Sequence, residues 1–197
     1  MKLTIFVSIL LLFVSGCSQK NTFYVPPRDD IEPRYDVAEC IEKLSKKQKI
    51  PLDKKIDKIV VYKSKKIMQL YKNGDIYKQF PVSLSKNSTK GHKIQDGDGK
   101  TPEGLYTINS MRCHDRRYRA MYISYPNAED KARAHQLGVD PGGYVSIHGQ
   151  PKWNADGNGD KYSLKYDWTK GCIGVPNKTM DVLWAYVERG TPIQINP

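Results

Sequence analysis

Short runs of β-branched and aromatic residues recur along the chain from residue 58 to the C-terminus. Runs of this kind, separated by turn-forming residues, predict β-strands. The segment Asn73-Gly74-Asp75 lies between two of the runs and is a strong hairpin signal. The predicted strands are Lys58–Tyr62, Lys66–Tyr71, Ile76–Leu84, Gly104–Asn109, Met121–Tyr125, Tyr144–His148 and Pro192–Ile195.

Apolar residues at helical spacing predict a smaller number of helices. These helices cover residues 36–49, Ala128–Leu137 and Lys178–Arg189, and the first makes residues 36–56 a short helical N-terminal segment. Asp36 and Asn177 are suited to cap the first and last helix, while Pro51 and Gly190 are suited to end them. Many short strands with few helices predict a mostly β fold with a mixed sheet.

Residues 1–17 have the pattern of a signal peptide. Their apolar run, from Leu3 to Val14, is too short to be a membrane-spanning helix. The run ends in Val-Ser-Gly before Cys17, which resembles a bacterial lipobox and implies a lipidated Cys17; a plain secretory signal is the alternative. Ser18 resembles the outer-membrane class of Gram-negative lipoproteins, which lack Asp at this position. We therefore expect a periplasmic protein anchored to the outer membrane, with residues 18–35 as a flexible tether.

The formal net charge of the chain is +11. A basic chain is suited to nucleic acid, but an exported protein on a lipid anchor does not meet that partner. We therefore expect no nucleic-acid partner. The charge is better explained by a solvated lysine-rich surface, or by attraction to anionic lipid and cell-wall polymers.

The cysteines predict one free thiol. If lipid occupies Cys17, then Cys40, Cys113 and Cys172 remain, and an odd number in an oxidising compartment leaves one unpaired. A pair between Cys40 and Cys113 would leave Cys172 free, although the sequence does not establish that pair. No Cys/His cluster has zinc spacing, and the calcium-loop likeness of residues 154–160 lacks its bidentate glutamate, so no metal is predicted.

Cys172 has two interpretations on its own, a buried structural thiol or a nucleophile. Gly171 permits a tight turn in which backbone N–H groups converge, as an oxyanion requires. His148 lies at the end of a predicted strand, and Gly149 lets the chain turn after it. A histidine is the base that a nucleophilic thiol needs, but sequence spacing alone does not bring the two residues together.

Two segments together resemble the signature of a known family. His148-Gly149 followed by Thr169-Lys170-Gly171-Cys172 is similar to the signature of the YkuD-like L,D-transpeptidase catalytic domain. The segments GHKIQDGDGKTPEGLYTIN, MYISYPN and LGVDPGGYVSIHG resemble its branch of periplasmic murein enzymes. The resemblance covers residues 57–197 and implies a mixed β-sheet sandwich or barrel with peripheral helices.

The resemblance also implies a mechanism. Cys172 would attack a peptidoglycan stem peptide at the L-centre carbonyl of a diamino acid, meso-diaminopimelate, with His148 as base. The Gly149 carbonyl would orient the imidazole, and the N–H groups of Gly171 and Cys172 would bind the oxyanion. Transfer to an amine is L,D-transpeptidation, and transfer to water is carboxypeptidase action or release of a wall-bound lipoprotein. No cofactor is implied, and a non-catalytic wall-binding lipoprotein is the alternative.

Residues expected to bind substrate follow from the same resemblance, with ordinary core or loop positions as the alternative for several of them. They are Thr169, Lys170, Tyr125, His92 and Trp153. Trp168 is suited equally to the core and to the groove, and His114 is expected at the surface. Gly174 departs from the family, since many members carry Arg or Asn there, and Lys170 replaces a common His or Arg.

Overall fold

A computed structural model describes residues 34–197, so the predicted signal peptide, Cys17 and most of the predicted tether lie outside the described residues. The helices are α1 (Ala38–Ser45), α2 (Ala128–Leu137), α3 (Asp160–Lys165) and α4 (Asn177–Tyr186), with 3₁₀ turns at Leu52–Lys54 and Lys152–Asn154. The strands are β1 (Lys58–Tyr62), β2 (Ile67–Lys72), β3 (Asp75–Pro81), β4 (Gly104–His114), β5 (Tyr118–Ile123), β6 (Ser146–His148), β7 (Ile173–Gly174) and β8 (Pro192–Asn196).

Within residues 34–197, the strands form one eight-stranded sheet in the order β3-β2-β1-β8-β4-β5-β6-β7. β1 pairs in parallel with β8, and β6 pairs in parallel with β7. The other pairs are antiparallel, and three of them, β1–β2, β2–β3 and β4–β5, are joined by short turns. This arrangement confirms the predicted mostly β fold with a mixed sheet and few helices.

The hydrophobic core lies against the buried face of the sheet. Ile59 and Ile193 are paired neighbours on β1 and β8, and both are fully buried. α4 contributes Met180 and Leu183 to the same core. Burying one such side chain fully contributes about 1.5–3 kcal/mol to folding. Ile56 is also buried and donates its N–H to the Tyr186 carbonyl, so this residue is part of the packed core.

The hairpin of β4 and β5 is longer than predicted. β4 continues past Asn109 to His114, and β5 starts at Tyr118 rather than Met121. Paired positions in the extension include Arg112 with Ala120. Polar side chains on the exposed face interrupt the apolar alternation there, whereas the backbone ladder continues and keeps both strands extended.

The ends of the helices also differ from the predictions. α4 starts at Asn177 itself, with Pro176 at the cap position, because the Asn177 side chain accepts the Gln150 N–H instead. The helix stops at Tyr186, well before Gly190, because Val187 turns into an extended, fully buried position. α1 likewise covers less than 36–49, and α3 was not predicted.

Cys40 and Cys113 form a disulfide, which settles the pairing that the sequence left open. The bond joins α1 to the end of β4. In residues 34–197, no helix combines the length and apolar character needed to cross a membrane.

Candidate active site

The parallel pair β6–β7 brings the two predicted catalytic residues onto one face of the sheet. Ile147 lies opposite Ile173, and both side chains are buried in the core. Side chains alternate along a strand, so Cys172 and His148 both point away from that core face. They line one cavity of about 570 Å³.

Cys172 is the one cysteine of residues 34–197 that is not in a disulfide, and its side chain is partly exposed. The Ser146 hydroxyl donates toward its sulfur, with 3.7 Å between Oγ and Sγ. The Tyr144 carbonyl oxygen lies 3.9 Å from the same sulfur. The thiol therefore reaches the cavity and has polar neighbours.

His148 is buried, with 6% of its surface exposed. Its Nδ1 lies 2.9 Å from the Gly149 carbonyl oxygen. A carbonyl only accepts, so Nδ1 carries the proton and Nε2 keeps its lone pair. Burial lowers the pKa of His148 to about 4, the Gly149 carbonyl opposes this shift, and the Arg117 charge adds to it. The imidazole is therefore neutral at neutral pH and able to accept a proton.

Gly171 makes the turn before Cys172 possible. Its φ is +122°, and a Cβ at this position would lie 2.7 Å from the Lys100 carbonyl oxygen. The Thr101 hydroxyl donates to the Gly171 carbonyl at 2.9 Å, and the Thr169 hydroxyl donates to the Cys172 carbonyl at 2.8 Å. Only glycine fits this backbone and this close approach, so the glycine of the motif is required by the fold itself.

The loop that touches Gly171 is held by a buried lysine that the sequence analysis did not single out. Lys63 is fully buried, and its ammonium lies 2.6 Å from the Glu103 carboxylate. The same ammonium donates to the carbonyls of Gly91 at 3.0 Å and Thr101 at 3.2 Å. A buried charge is tolerated when it is paired and hydrogen-bonded in this way.

Trp168 forms a wall of the cavity beside His148. Its ring lies 5.4 Å from the His148 ring in an edge-on arrangement. A Cβ added to Gly174 would lie 2.9 Å from Cζ2 of this indole. Gly174, the residue that departs from the family pattern, is therefore small because the indole occupies the space of its side chain.

The sequence model of one protein family, the L,D-transpeptidase catalytic domain (YkuD), matches residues 56–195. This range is most of the chain and includes the residues that line the Cys172 cavity. The chain belongs to the YkuD family of L,D-transpeptidase catalytic domains. The family resemblance that the motifs indicated is thereby confirmed.

Relatives of this YkuD domain include the protein named "Putative L,D-transpeptidase YafK" from Escherichia coli (strain K12). It is 30% identical over 134 residues, which are 66% of this chain and 46% of that protein. The fold is shared with the helical cell shape determining protein Pgp2 from Campylobacter jejuni, with a TM-score of 0.52, 23% identity and coverage of 79% of this chain and 54% of Pgp2. Bd1075 from Bdellovibrio bacteriovorus shares the fold with a TM-score of 0.50 and 22% identity, and the match covers 72% of this chain and 48% of Bd1075. The chain spans about half the length of these relatives.

The residues expected to bind substrate in this YkuD domain fall into two groups. Thr169, Lys170 and Trp153 line the cavity with Cys172. Tyr125 does not: it is buried, donates its hydroxyl to the Pro141 carbonyl at 2.8 Å, and lines a smaller adjoining cavity. Tyr125 was expected in the groove because it lies in a matching segment, but its hydroxyl is used to fix a loop.

His92 also lies away from the cavity. Its Nδ1 accepts the Glu103 N–H at 3.0 Å, and its Nε2 is 3.0 Å from the Asp130 carboxylate without hydrogen-bond alignment. Its position joins the loop of residues 91–104 to α2. The segment containing His92 therefore supports the loop behind Cys172 and places no imidazole in the groove.

Several cavity residues were not predicted to be there. They are His114, Arg116 and Arg117 of the β4–β5 turn, Tyr122 and Tyr144, and Tyr162 and Tyr166 of the region of α3. His114, expected at the surface, is half-buried, and its pKa is lowered by burial and by His148. The basic stretch Arg116-Arg117 was the available signal, but its position depends on the hairpin extension that the apolar pattern did not show.

The calcium-loop likeness of residues 154–160 has a structural explanation. Asn154 is buried, donates to the Asp160 carboxylate at 2.9 Å and accepts the Gly159 N–H at 2.6 Å. These groups bond one another beside the first residue of α3. Across residues 34–197, no group of three or more His, Cys, Asp or Glu residues is arranged to hold a metal.

Replacing Gly174 with alanine is expected to lower the free energy of unfolding by about 1–3 kcal/mol, because Trp168 must move away from the new methyl group. The displaced indole no longer packs against the His148 ring. Because the imidazole then loses its fixed position, turnover is expected to fall about tenfold. Urea denaturation and initial rates measure both effects. Gly143→Ala is the control, since its Cβ meets open space; equal losses in the two variants would contradict the explanation.

Proposed function

We propose that this protein is a peptidoglycan-modifying cysteine enzyme that acts on stem peptides through an acyl-enzyme at Cys172. The observation that supports it most strongly is the shared cavity of a free thiol and a neutral, oriented imidazole. Membership of the YkuD family supplies the substrate class. The scissile bond is proposed to follow the L-centre of meso-diaminopimelate.

The proposed first step moves one proton and exchanges one bond. His148 Nε2 takes the thiol proton, and the sulfur of Cys172 bonds to the substrate carbonyl carbon. The N–H groups of Gly171 and Cys172 are the proposed donors to the resulting oxyanion. In the structure the Gly171 N–H makes a long contact of 3.4 Å to Thr169 Oγ1, which it would exchange for the oxyanion. The C–N bond then breaks, the imidazolium returns its proton to the leaving amine, and a thioester remains.

The second step regenerates the thiol. An amine or water attacks the thioester, His148 takes its proton, and the sulfur leaves as thiolate and is reprotonated. An amine acceptor gives L,D-transpeptidation; water gives a shortened stem, or release of a protein attached to the wall. Lys170 and Trp153 border the cavity where donor and acceptor would lie.

The proposed location is the bacterial cell envelope. A protein tethered by acylated Cys17 through residues 18–35 would meet both an outer membrane and the peptidoglycan beneath it. A basic chain, with a net charge of +11, is suited to the anionic groups of both surfaces.

A carbapenem tests the nucleophile directly, because members of this family accept these drugs as acylating mimics. The purified protein is incubated with the drug, and intact mass is measured by mass spectrometry. One adduct is expected on the wild type, located at Cys172 by peptide mapping, and none on Cys172→Ala. An adduct on both proteins would contradict the assignment of the nucleophile.

A further inference from the structure

A buried threonine holds the backbone immediately before Cys172. Thr101 is fully buried and is not among the residues that line the Cys172 cavity. Its hydroxyl donates to the Gly171 carbonyl at 2.9 Å, and its own backbone carbonyl accepts from the buried Lys63 ammonium at 3.2 Å. Thr101 is therefore too deep to touch a substrate in the cavity, and any effect on the reaction must pass through Gly171.

The hydrogen bonds around the Thr101 hydroxyl run in one direction. A carbonyl only accepts, so the hydroxyl gives its single proton to Gly171. The Ser88 hydroxyl is fully buried and lies 2.8 Å from Thr101 Oγ1, so it is the donor of that pair. The Ser85 N–H in turn donates to Ser88 Oγ at 3.1 Å. All donors of this chain point toward the Gly171 carbonyl, and hydrogen bonds in such a chain strengthen one another in a buried environment.

The Gly171 carbonyl and the Cys172 N–H belong to the same peptide unit. The unit is trans, so its N–H points opposite to its C=O. Holding the carbonyl therefore also sets the direction of the Cys172 N–H, which is one of the two proposed donors to the oxyanion. Glycine permits more backbone conformations than other residues, so a restraint on this unit has to come from outside Gly171.

We infer that Thr101 is a positioning residue for the oxyanion: its hydroxyl, ordered by Ser88, directs the Cys172 N–H at the oxyanion and polarises it. This inference rests on the proposed function. A preorganised donor is effective because it is already in place when the charge develops. The Thr101 hydroxyl thus accelerates every step that forms a tetrahedral oxyanion at Cys172, and it has no effect on a reaction of the same sulfur that forms none.

Two reagents that modify Cys172 separate these two kinds of reaction. The carbapenem imipenem acylates the sulfur through a tetrahedral oxyanion: the S–C bond forms, the β-lactam C–N bond breaks, and the ring nitrogen takes up the thiol proton. Iodoacetamide alkylates the same sulfur by displacing iodide, and it forms no oxyanion. Intact mass against time gives both rates, and peptide mapping assigns each adduct to Cys172.

Thr101→Val keeps the shape of the side chain and removes the hydroxyl. Its acylation rate is expected to fall about 10- to 100-fold, somewhat less than the loss of a whole oxyanion donor. Its alkylation rate is expected to stay within about twofold of the wild type, because the thiol and its base are unchanged. Thr101→Ser keeps the hydroxyl and is expected to restore acylation to within about threefold.

Thr191→Val is the matched control. Thr191 is also buried, and its hydroxyl oxygen accepts the Glu188 N–H at 3.3 Å away from the cavity. This variant is expected to be less stable to urea and to keep both rates. Ser88→Ala is the second variant if Thr101→Val does not fold: loss of one hydrogen bond from the chain is expected to slow acylation about threefold and to leave alkylation unchanged.

Equal acylation of the wild type and the Thr101 or Ser88 variant would overturn the positioning role and leave the proposed nucleophile intact. A parallel fall in acylation and alkylation would also overturn it, because the loss would then reside in the thiol or its base. A wild type that is alkylated at Cys172 but never acylated would contradict both this inference and the proposed function.

Discussion

Replacing Cys172 with alanine is expected to lower kcat/KM on stem peptides by at least about 10³-fold, since no other group of the cavity replaces a missing nucleophile. The fold should survive, because the side chain is partly exposed and forms no disulfide. The free energy of unfolding is expected to change by less than about 1 kcal/mol. Initial rates and urea denaturation, compared with the wild type, measure both quantities.

Cys172→Ser is the matched variant for this prediction. It keeps the size of the side chain but replaces a thiol by a hydroxyl, which ionises far less readily near neutral pH. It is expected to be as inactive as the alanine variant. A folded Cys172→Ala protein that keeps a tenth or more of the wild-type rate would show that the nucleophile is another group.

Replacing His148 with glutamine is expected to lower kcat/KM by about 10²–10⁴-fold, the range for loss of a general base. Glutamine can still donate to the Gly149 carbonyl, so the variant tests the base and not the local hydrogen bond. Because burial lowers the pKa of His148 to about 4, the acid limb of the wild-type kcat/KM profile is expected below the usual histidine range. A limb at pH 6.5 or above would contradict this assignment.

The same histidine makes stability depend on pH. In the unfolded chain it takes up a proton near pH 6.5, whereas in the folded protein it stays neutral down to about pH 4. The unfolded state thus binds more protons in this window, and acidification favours it. The wild type is expected to lose up to about 3 kcal/mol between pH 6.5 and 4 from this group, and His148→Gln should lose correspondingly less. Urea titrations at several pH values measure the difference.

Local chemistry explains why much of the fold was predictable. The runs at β1 and β8 are strongly β-branched, and the structure has both within a residue of the predicted bounds. α2 matches its prediction because Asn127 and Asp130 form a reciprocal cap and Gly138 ends the helix. The end of α4 was missed because burial of Val187 overrides the stop signal at Gly190.

The candidate site was likewise predictable only in part. Cys172 and His148 could be chosen as candidates because a backbone requirement, the turn at Gly171, accompanies the cysteine in the sequence and the family resemblance joins the two residues. The residues that the β4–β5 turn adds to the cavity were not predictable, because His114 reaches it only through the length of a hairpin. The contact between Trp168 and Gly174 joins residues on separate segments, and no local pattern specifies such a contact.

Digestion of purified sacculi tests whether Cys172 takes an acyl group from peptidoglycan stem peptides. The reduced wild-type protein is incubated with sacculi, and the muropeptides are analysed by mass spectrometry beside a Cys172→Ala control. We expect new masses with the wild type alone: shortened stems, new cross-linked dimers, or a released lipoprotein, each of which identifies the acceptor. Unchanged muropeptides from a folded and reduced wild type would contradict this role of Cys172.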